Sequence, residues 1–407
     1  MKKIYLLTLL IALGSQYLFA QNNENAFGIS FKGFVKHEMI YDSRQTVTSR
    51  DGTVLFFPSA ISKDVNGEDI NADPQFNMLA ITSRLQGIIK GPDAFGAKTS
   101  GMISCDFVGT GTDKVVLPRL RQAFVKLTWE NSSLVVGKAW HPLFVTDVFP
   151  QVLTFGAAIP FYTLNRAPQV TYTYNIKGLS MALSATTQDD FKSLGPIGRS
   201  CSYLVNSGRP ELNARVMYKS EHFLIGAAAG FWTLKPSLTN SYGTKTSETV
   251  NGMLVNTFAK VTLDNMIVRG GYLFGENMSQ LMMFGGYGVS AIDEVTGEQS
   301  YAATKASSMW ADVQYNHASW SFGLFGGFTQ NDGADEKIIG SLYALAPTID
   351  NYMRISPRIT YTSGRVKVGL EGIYHVAAYG SLDEYAKVVE TTESDAVRIL
   401  TSVAYIF

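Results

Sequence analysis

The sequence predicts an all-β protein: a transmembrane antiparallel β-barrel of 16 strands, with short periplasmic turns, long extracellular loops and an inward-folded third loop. Three observations lead there. Apolar and polar residues alternate with period two in run after run, the pattern of a strand with two unlike faces. The connections between those runs alternate short and long. The composition suits strands and turns, with 12% aromatic residues, 37 Gly, 20 Tyr and 24 Phe against 17% charged residues.

Met1-Lys2-Lys3, an apolar run from Ile4 to Leu13 and a short stretch to Ala20 read as a secretory signal peptide over residues 1–20. The exported domain is then residues 21–407, one barrel with no linker or composition shift inside it. The apolar run is too short for a membrane helix, which takes roughly 20 residues, and no later segment is better. A chain of this kind crosses a membrane only as a closed barrel, where every backbone group finds a partner. A secreted sandwich or propeller would alternate as well, but sixteen strands in a long–short rhythm favour the barrel.

The first strand sets the pattern. In "ISFKGFVKHEMIYD", Ile29, Phe31, Gly33, Val35, His37, Met39 and Tyr41 share one face, and Ser30, Lys32, Phe34, Lys36, Glu38, Ile40 and Asp42 the other. In "LAITSRLQGIIKG", Leu79, Ile81, Leu85 and Ile89 lie opposite Thr82, Arg84, Gln86 and Lys90. Further strands centre near residues 101, 123, 136, 171, 182, 215, 227, 256, 270, 310, 324, 357, 372 and 401. The tight connections are "GPDA", "ENSS", "NIKG", "KSEH", "LDN", "NHAS" and "TSGR". Long loops are expected over about 42–75, 140–167, 187–210, 233–250, 275–303, 329–350 and 380–394, with a shorter one near 108–115.

On the polar faces, basic residues outnumber acidic ones: Lys32, Lys36, Arg84, Lys90, Lys98, Lys126, Arg215, Lys260, Arg269, Arg354, Arg358, Lys367 and Arg398 against Glu38, Asp106, Asp312 and Glu371. An Arg or Lys facing lipid at mid-membrane costs roughly 2–4 kcal/mol, so these side chains should point into the lumen. Formal net charge is zero for the whole chain, so the excess is local to the lumen, and no case for nucleic acid arises. A lumen lined by one sign concentrates the opposite ion, which predicts anion preference. Pairing of these cations with loop carboxylates, which would stiffen the wall instead, is the alternative.

The stretch from Trp140 to Gln169 is long yet apolar, with Phe144, Phe149, Phe155, Phe161, Pro150 and Pro160. Exposed, it would be a liability; folded into the barrel it narrows the channel, with Arg166 and Asp147 flanking the constriction. Packing on a neighbouring barrel is the other solution.

"GFVKHEMIYDSRQTV" (Gly33 to Val47), "LRQAFVKL" (Leu120 to Leu127), "VGKAWHPLFVTDVFP" (Val136 to Pro150) and "LNRAPQVTYTY" (Leu164 to Tyr174) resemble trimeric outer-membrane porins of the DcaP-like type. The resemblance is dense over about a third of the chain and looser afterwards. It implies a sixteen-stranded barrel, a homotrimer, an inward third loop and passive uptake of small anionic solutes, including dicarboxylates. It also makes Arg166 and, beside it, Arg119 and Arg121 pore-region residues. By strict alternation Arg119 and Arg121 share a parity with the lipid-facing Ala123 and Val125; a β-bulge, or a position above the membrane, would resolve this. Arg84, Arg269, Arg354, Arg358, Arg398, Lys36 and Lys367 complete the expected pore lining. Expected surroundings are outer-membrane lipid and, during biogenesis, the barrel-assembly machinery.

No enzymatic motif is present. The five histidines are scattered, with no HExxH, P-loop, GxSxG or CxxC, and no cofactor is expected. Asp64, Asp69 and Asp73, in "DVNGEDINAD", are a weak calcium candidate, since Gly67 is misplaced for an EF-hand loop. Cys105 and Cys201 could form one bridge, although one reads as a strand residue and the other as a loop residue. A surface-binding or scaffold barrel with a plugged lumen is the alternative to a channel. At "SVAYIF", Val403, Tyr405 and Phe407 continue the outward face of the last strand, which should close against the first near Ile29. A terminal aromatic of this kind resembles the mark by which assembly machinery recognises barrels.

Overall fold

The structure, a computed structural model, describes residues 27–407, so the signal peptide expected over 1–20 lies outside the described residues. Nineteen segments form one closed antiparallel sheet. Two of them are halves of one interrupted strand and two sit above the rim, which leaves 16 strands in the wall. These are β1 (Gly28–Asp42), β2 (Gln75–Leu79 continued by Arg84–Lys90), β3 (Lys98–Asp106), β4 (Arg119–Thr128), β5 (Ser132–Trp140), β6 (Arg166–Ile176), β7 (Leu179–Thr186) and β8 (Glu211–Lys219). The second half is β9 (Phe223–Leu234), β10 (Val250–Leu263), β11 (Met266–Glu276), β12 (Gln299–His317), β13 (Trp320–Ala334), β14 (Ile349–Ser363), β15 (Val366–Leu382) and β16 (Val388–Ile406). Every expected strand centre falls on one of them except that of the second strand, near residue 83, which falls in the break between the halves of β2. Among the described residues no helix is long and apolar enough to cross a membrane.

β16 pairs with β1 from Phe34↔Ile406 to Asp42↔Arg398, and the Phe407 and Gly33 backbones exchange two hydrogen bonds of 3.0 and 3.1 Å. The seam therefore begins at Gly33, above Ile29, whose partner is Ile89 of β2. The tight turns all lie at one end. Lys177 and Gly178 both take positive φ, +46° and +85°, the type I′ geometry whose twist matches a hairpin.

Exposure follows the pleat. Leu183, Ile225, Val255, Leu324, Leu370 and Ile399 form an outward aliphatic belt. Tyr174, Tyr218, Phe223, Tyr315, Trp320, Tyr361 and Tyr405 stand outward beside the tight turns, as the aromatic girdle of a membrane barrel does. Trp320 and Tyr361 pack at 4.7 Å between neighbouring strands.

Two departures from alternation matter. Glu38 faces Leu79 while Phe34 faces Arg84, so β2 uses one residue more than β1 over the same span. A one-residue slip flips the face: Leu79 is on the side of Glu38, and Ile81, expected beside Leu85, is buried. In β4 the register shifts between Ser104↔Gln122 and Cys105↔Leu120. Arg121 and Gln122 are both buried across that bulge while Leu120 and Val125 are exposed, which puts Arg119 and Arg121 inside.

Two of the expected long loops are largely strand. β15 and β16 run on to Leu382 and Val388, joined by a turn over 383–387, and β13 continues to Ala334, because their backbones keep pairing above the membrane. Cys105 and Cys201 are free.

The core lies inside the barrel and is supplied by loops. From the third loop, Leu143, Val145, Val148, Phe161 and Tyr162 are fully buried. Phe161 stacks on Tyr352 at 4.9 Å and meets Phe325 at 5.7 Å, and Tyr162 sits edge-on to Trp310 at 5.3 Å. The first loop folds in as well, through a hairpin of Thr46–Ser49 and Val54–Pro58, and its Phe57 touches Tyr352 and Phe284 of the sixth loop. Burying a side chain of this size is worth about 1.5–3 kcal/mol, enough to hold each loop inside rather than in water.

Candidate functional site

The third loop crosses the lumen instead of lining one side. Ser308 Oγ donates to the Phe161 carbonyl at 2.9 Å, Lys260 Nζ to the Asp147 carbonyl at 3.1 Å and Lys36 Nζ to the Leu153 carbonyl at 3.2 Å. Thr154 donates to Glu371 from both its amide and its hydroxyl, at 2.7 and 2.8 Å. The loop is thus lashed to β1, β10, β12 and β15. Its apolar face covers the wall from β10 to β15, and the lumen that stays open lies on the other side.

That open space is a chamber of about 1100 Å³ between the third loop, the inward hairpin of the first loop and the wall at β1, β2 and β4. Its charged lining is eight basic residues, Lys36, Arg50, Arg84, Arg119, Arg121, Arg166, Lys192 and Arg199, and one acidic residue, Asp190. Aromatic side chains, among them Phe34, Trp140, Phe149 and Phe155, share the rest of its lining with aliphatic and hydroxyl residues.

The cations are held in three ways. Asp106, on β3, grips Arg119 Nε at 2.8 Å and Arg121 Nη1 at 2.7 Å. Ring faces support others: Arg166 lies 5.0 Å from Trp140 and 5.1 Å from Phe191, and Arg84 lies 5.1 Å from Phe34. Backbone carbonyls hold the loop arginines, Arg50 on Val108 and Gly111 at 3.1 and 3.2 Å and Arg199 on Lys192 and Ser279 at 3.0 and 3.2 Å. Lys36 pairs with Glu38 at 2.8 Å. Among the described residues no carboxylate lies within ion-pair distance of Arg84, so its charge acts on the chamber uncompensated by a direct partner.

The expected lining residues therefore divide. Lys36, Arg84, Arg119, Arg121 and Arg166 meet at the chamber. Arg269, Arg354, Arg358 and Arg398 do not: they are buried in the wall behind the loops. Arg398 makes a two-pronged pair with Asp42 at 2.7 Å, Arg358 and Arg269 share Asp312 at 2.7 and 3.1 Å, and Arg354 lies 3.7 Å from Glu371. Lys367 is on β15 with no ion pair among the described residues. Asp147 is not opposite Arg166; its carboxylate faces Lys219, near the tight turn after β8, at 3.8 Å.

The acidic turn of the first loop is engaged by its own backbone. Asp64 accepts from the amides of Glu68 and Asn66, which hold its carboxyl below the usual range. Asp69 accepts from the Ser62 and Asn71 amides and pairs with Arg44, while the Asp73 carbonyl takes a hydrogen bond from Gln45. Among the described residues no cluster of three or more His, Cys, Asp or Glu could hold a metal ion.

Alternation misses Arg50, Asp190, Lys192 and Arg199 because they belong to loops, where no period marks the inward side. Asp42 was readable, since it continues the face of Lys36 and Glu38.

No family profile matches the sequence, and no curated protein matches it. The fold is shared with solved outer-membrane structures. The DcaP channel of Acinetobacter baumannii superposes with a TM-score of 0.70 and 16% identity, over 96% of this chain and 100% of that one. The anion-selective porin of Comamonas acidovorans gives 0.57 and 11%, over 94% and 100%. The trimer form of OmpT from Vibrio cholerae gives 0.56 and 12%, over 94% and 100%. At these identities the fold is what is shared: a DcaP-like porin barrel.

Proposed function

We propose that the protein is an outer-membrane porin, a water-filled channel for passive diffusion of small hydrophilic solutes that prefers anions such as dicarboxylates. The observation that carries this is the chamber, with eight basic residues against one acidic on its lining. In a narrow space between low-dielectric walls, such an excess raises the local concentration of anions and repels cations. Arg84 and Arg166 are supported by rings rather than clamped by close carboxylates, so less of their charge is cancelled before it reaches the chamber.

The lipid-facing belt and girdle support residence in the outer membrane, reached by export of the chain behind residues 1–20 and insertion by barrel-assembly machinery. A homotrimer, as in the trimer form of the Vibrio cholerae protein, is the assembly we propose. Recording in planar bilayers tests the function. Stepwise conductance with reversal potentials favouring chloride over potassium supports it, and reversal potentials favouring potassium overturn the anion preference.

A second reading, a surface or scaffold barrel with a plugged lumen, is favoured by the inward packing of the first, third and sixth loops around Phe57, Phe161 and Phe284. An electrically silent barrel in the same recordings would select it.

A further inference from the structure

Among the described residues Asp190 is the single carboxylate on the chamber lining, and it comes from the fourth loop rather than the wall. Its Oδ2 lies 3.5 Å from Arg166 Nη2 and 3.6 Å from Arg119 Nη1. The next residue, Phe191, covers one side of the Arg166 guanidinium. Both contacts are long beside the 2.7–2.8 Å grip of Asp106 on Arg119 and Arg121. The Nε atoms of Arg166 and Arg121 are buried without a hydrogen-bond partner. A guanidinium draws two oxygens into its fork, and Asp190 gives Arg166 only one.

The base of this segment is fixed while the carboxylate is not. Asp189 pairs with Lys138 at 2.8 Å, the Thr187 amide donates to the Pro168 carbonyl at 3.0 Å and Gln188 donates to Glu211 at 2.8 Å. Asp190 thus reaches into the chamber from a firm anchor and rests on arginines that can accept a better ligand.

We propose that Asp190 is a tethered counter-anion, which occupies the Arg119–Arg166 site when the channel is empty and is replaced there by the carboxylate of a passing solute. The proposal rests on the reading of the barrel as an anion channel. It answers a problem which that reading raises: conduction needs binding that is favourable enough to enter and weak enough to leave. A carboxylate held beside the site is present at a high effective concentration, so a solute must compete with it and is displaced by it in turn. The solutes it would govern are oxyanions with two coplanar oxygens, carboxylates first.

The test is recording from the purified full-length protein in planar bilayers, with succinate titrated into chloride, for wild type, Asp190→Asn and Asp190→Glu. Asp190→Asn should lower the half-blocking succinate concentration about tenfold, the factor of one charge-assisted hydrogen bond, and lengthen each block. Asp190→Glu keeps the charge and should stay within about twofold of wild type. An unchanged half-blocking concentration in Asp190→Asn, with wild type still anion-selective, overturns the role of Asp190 and leaves the channel reading intact. A silent or cation-selective wild type overturns the channel reading itself. If Asp190→Asn gives no folded, heat-modifiable band, Asp190→Glu decides: a fall approaching tenfold despite the retained charge overturns the proposal.

Discussion

Thr154, in the third loop, donates from both its amide and its hydroxyl to one carboxylate oxygen of Glu371 on β15, at 2.7 and 2.8 Å. The other Glu371 oxygen accepts from Ser356 and lies 3.7 Å from Arg354. One buried carboxylate thus serves two purposes: it counters a buried guanidinium and fastens the loop that divides the lumen.

Glu371→Gln should therefore fail in two measurable ways. Removing the charge leaves Arg354 buried without its counter-ion, a loss of roughly 3–5 kcal/mol, read as a lower urea midpoint for the barrel in lipid vesicles. The loop loses its charged anchor as well, so open-channel current noise should rise. Thr154→Val removes only the hydroxyl contact; it should raise the noise while costing about 1 kcal/mol of stability.

The seam between β1 and β16 depends on a residue without a side chain. A Cβ at Gly33 would sit 2.1 Å from the Arg84 carbonyl and 3.0 Å from the Phe407 ring. Gly33→Ala forces β1 and β2 apart beside the closing seam, and overpacking of this kind costs typically about 1–3 kcal/mol. The temperature at which the folded band disappears on gels should fall, whereas Gly28→Ala, with nothing within 4 Å, should leave it in place.

What was legible in the sequence and what was not follow from the same physics. Strand positions and tight turns could be read because lipid on one side and water on the other impose period two on every residue between, as at Leu183 and Leu370. The turn at Lys177-Gly178 announced itself through its glycine. The bulges at Ala80–Ser83 and Arg121–Gln122 could not be placed from one strand, because a bulge is defined by the partner strand it fails to match. The pairing of Arg398 with Asp42, 356 residues apart, was hidden for the same reason. The loop cations of the chamber were invisible because their inward direction is set by packing between loops, as of Phe57 on Phe284 and Tyr352 and of Arg199 on the Ser279 carbonyl, not by any repeat.

The bulge in β4 makes a sharp test of that account. Deleting Gln122 removes the extra residue, so plain alternation is restored with Arg121 and Arg119 still inward on Asp106. The deletion should therefore leave the heat-modifiable band in place, as should deleting one residue of the exposed 92–96 turn. Asp106→Asn, by contrast, strips two buried arginines of their shared counter-charge, costs roughly 3–5 kcal/mol and should abolish the band.

Free thiols at Cys105 and Cys201 mean that both should react with maleimide after unfolding without reductant. Gel mobility should not change when reductant is added.

The division of the arginines into paired and open predicts which of them would set the proposed anion preference. Arg358 lies 2.7 Å from Asp312 and is buried, so its field is largely cancelled before it reaches the chamber. Arg84 borders the chamber with a ring beneath it and no carboxylate beside it. Arg84→Ala should move the reversal potential towards zero while the barrel stays folded. Arg358→Ala should lower the urea midpoint and leave the reversal potential close to wild type, because Arg269 still holds Asp312 at 3.1 Å. Salt separates a local effect from a diffuse one. The screening length is about 10 Å at 0.1 M and about 3 Å at 1 M, so a field acting across open water fades over that range, while a cation touching the permeating anion keeps its effect. The Arg84→Ala shift should persist at 1 M potassium chloride. Equal shifts from both variants, lost together at high salt, would place the selectivity in the summed charge of the lumen rather than in the chamber.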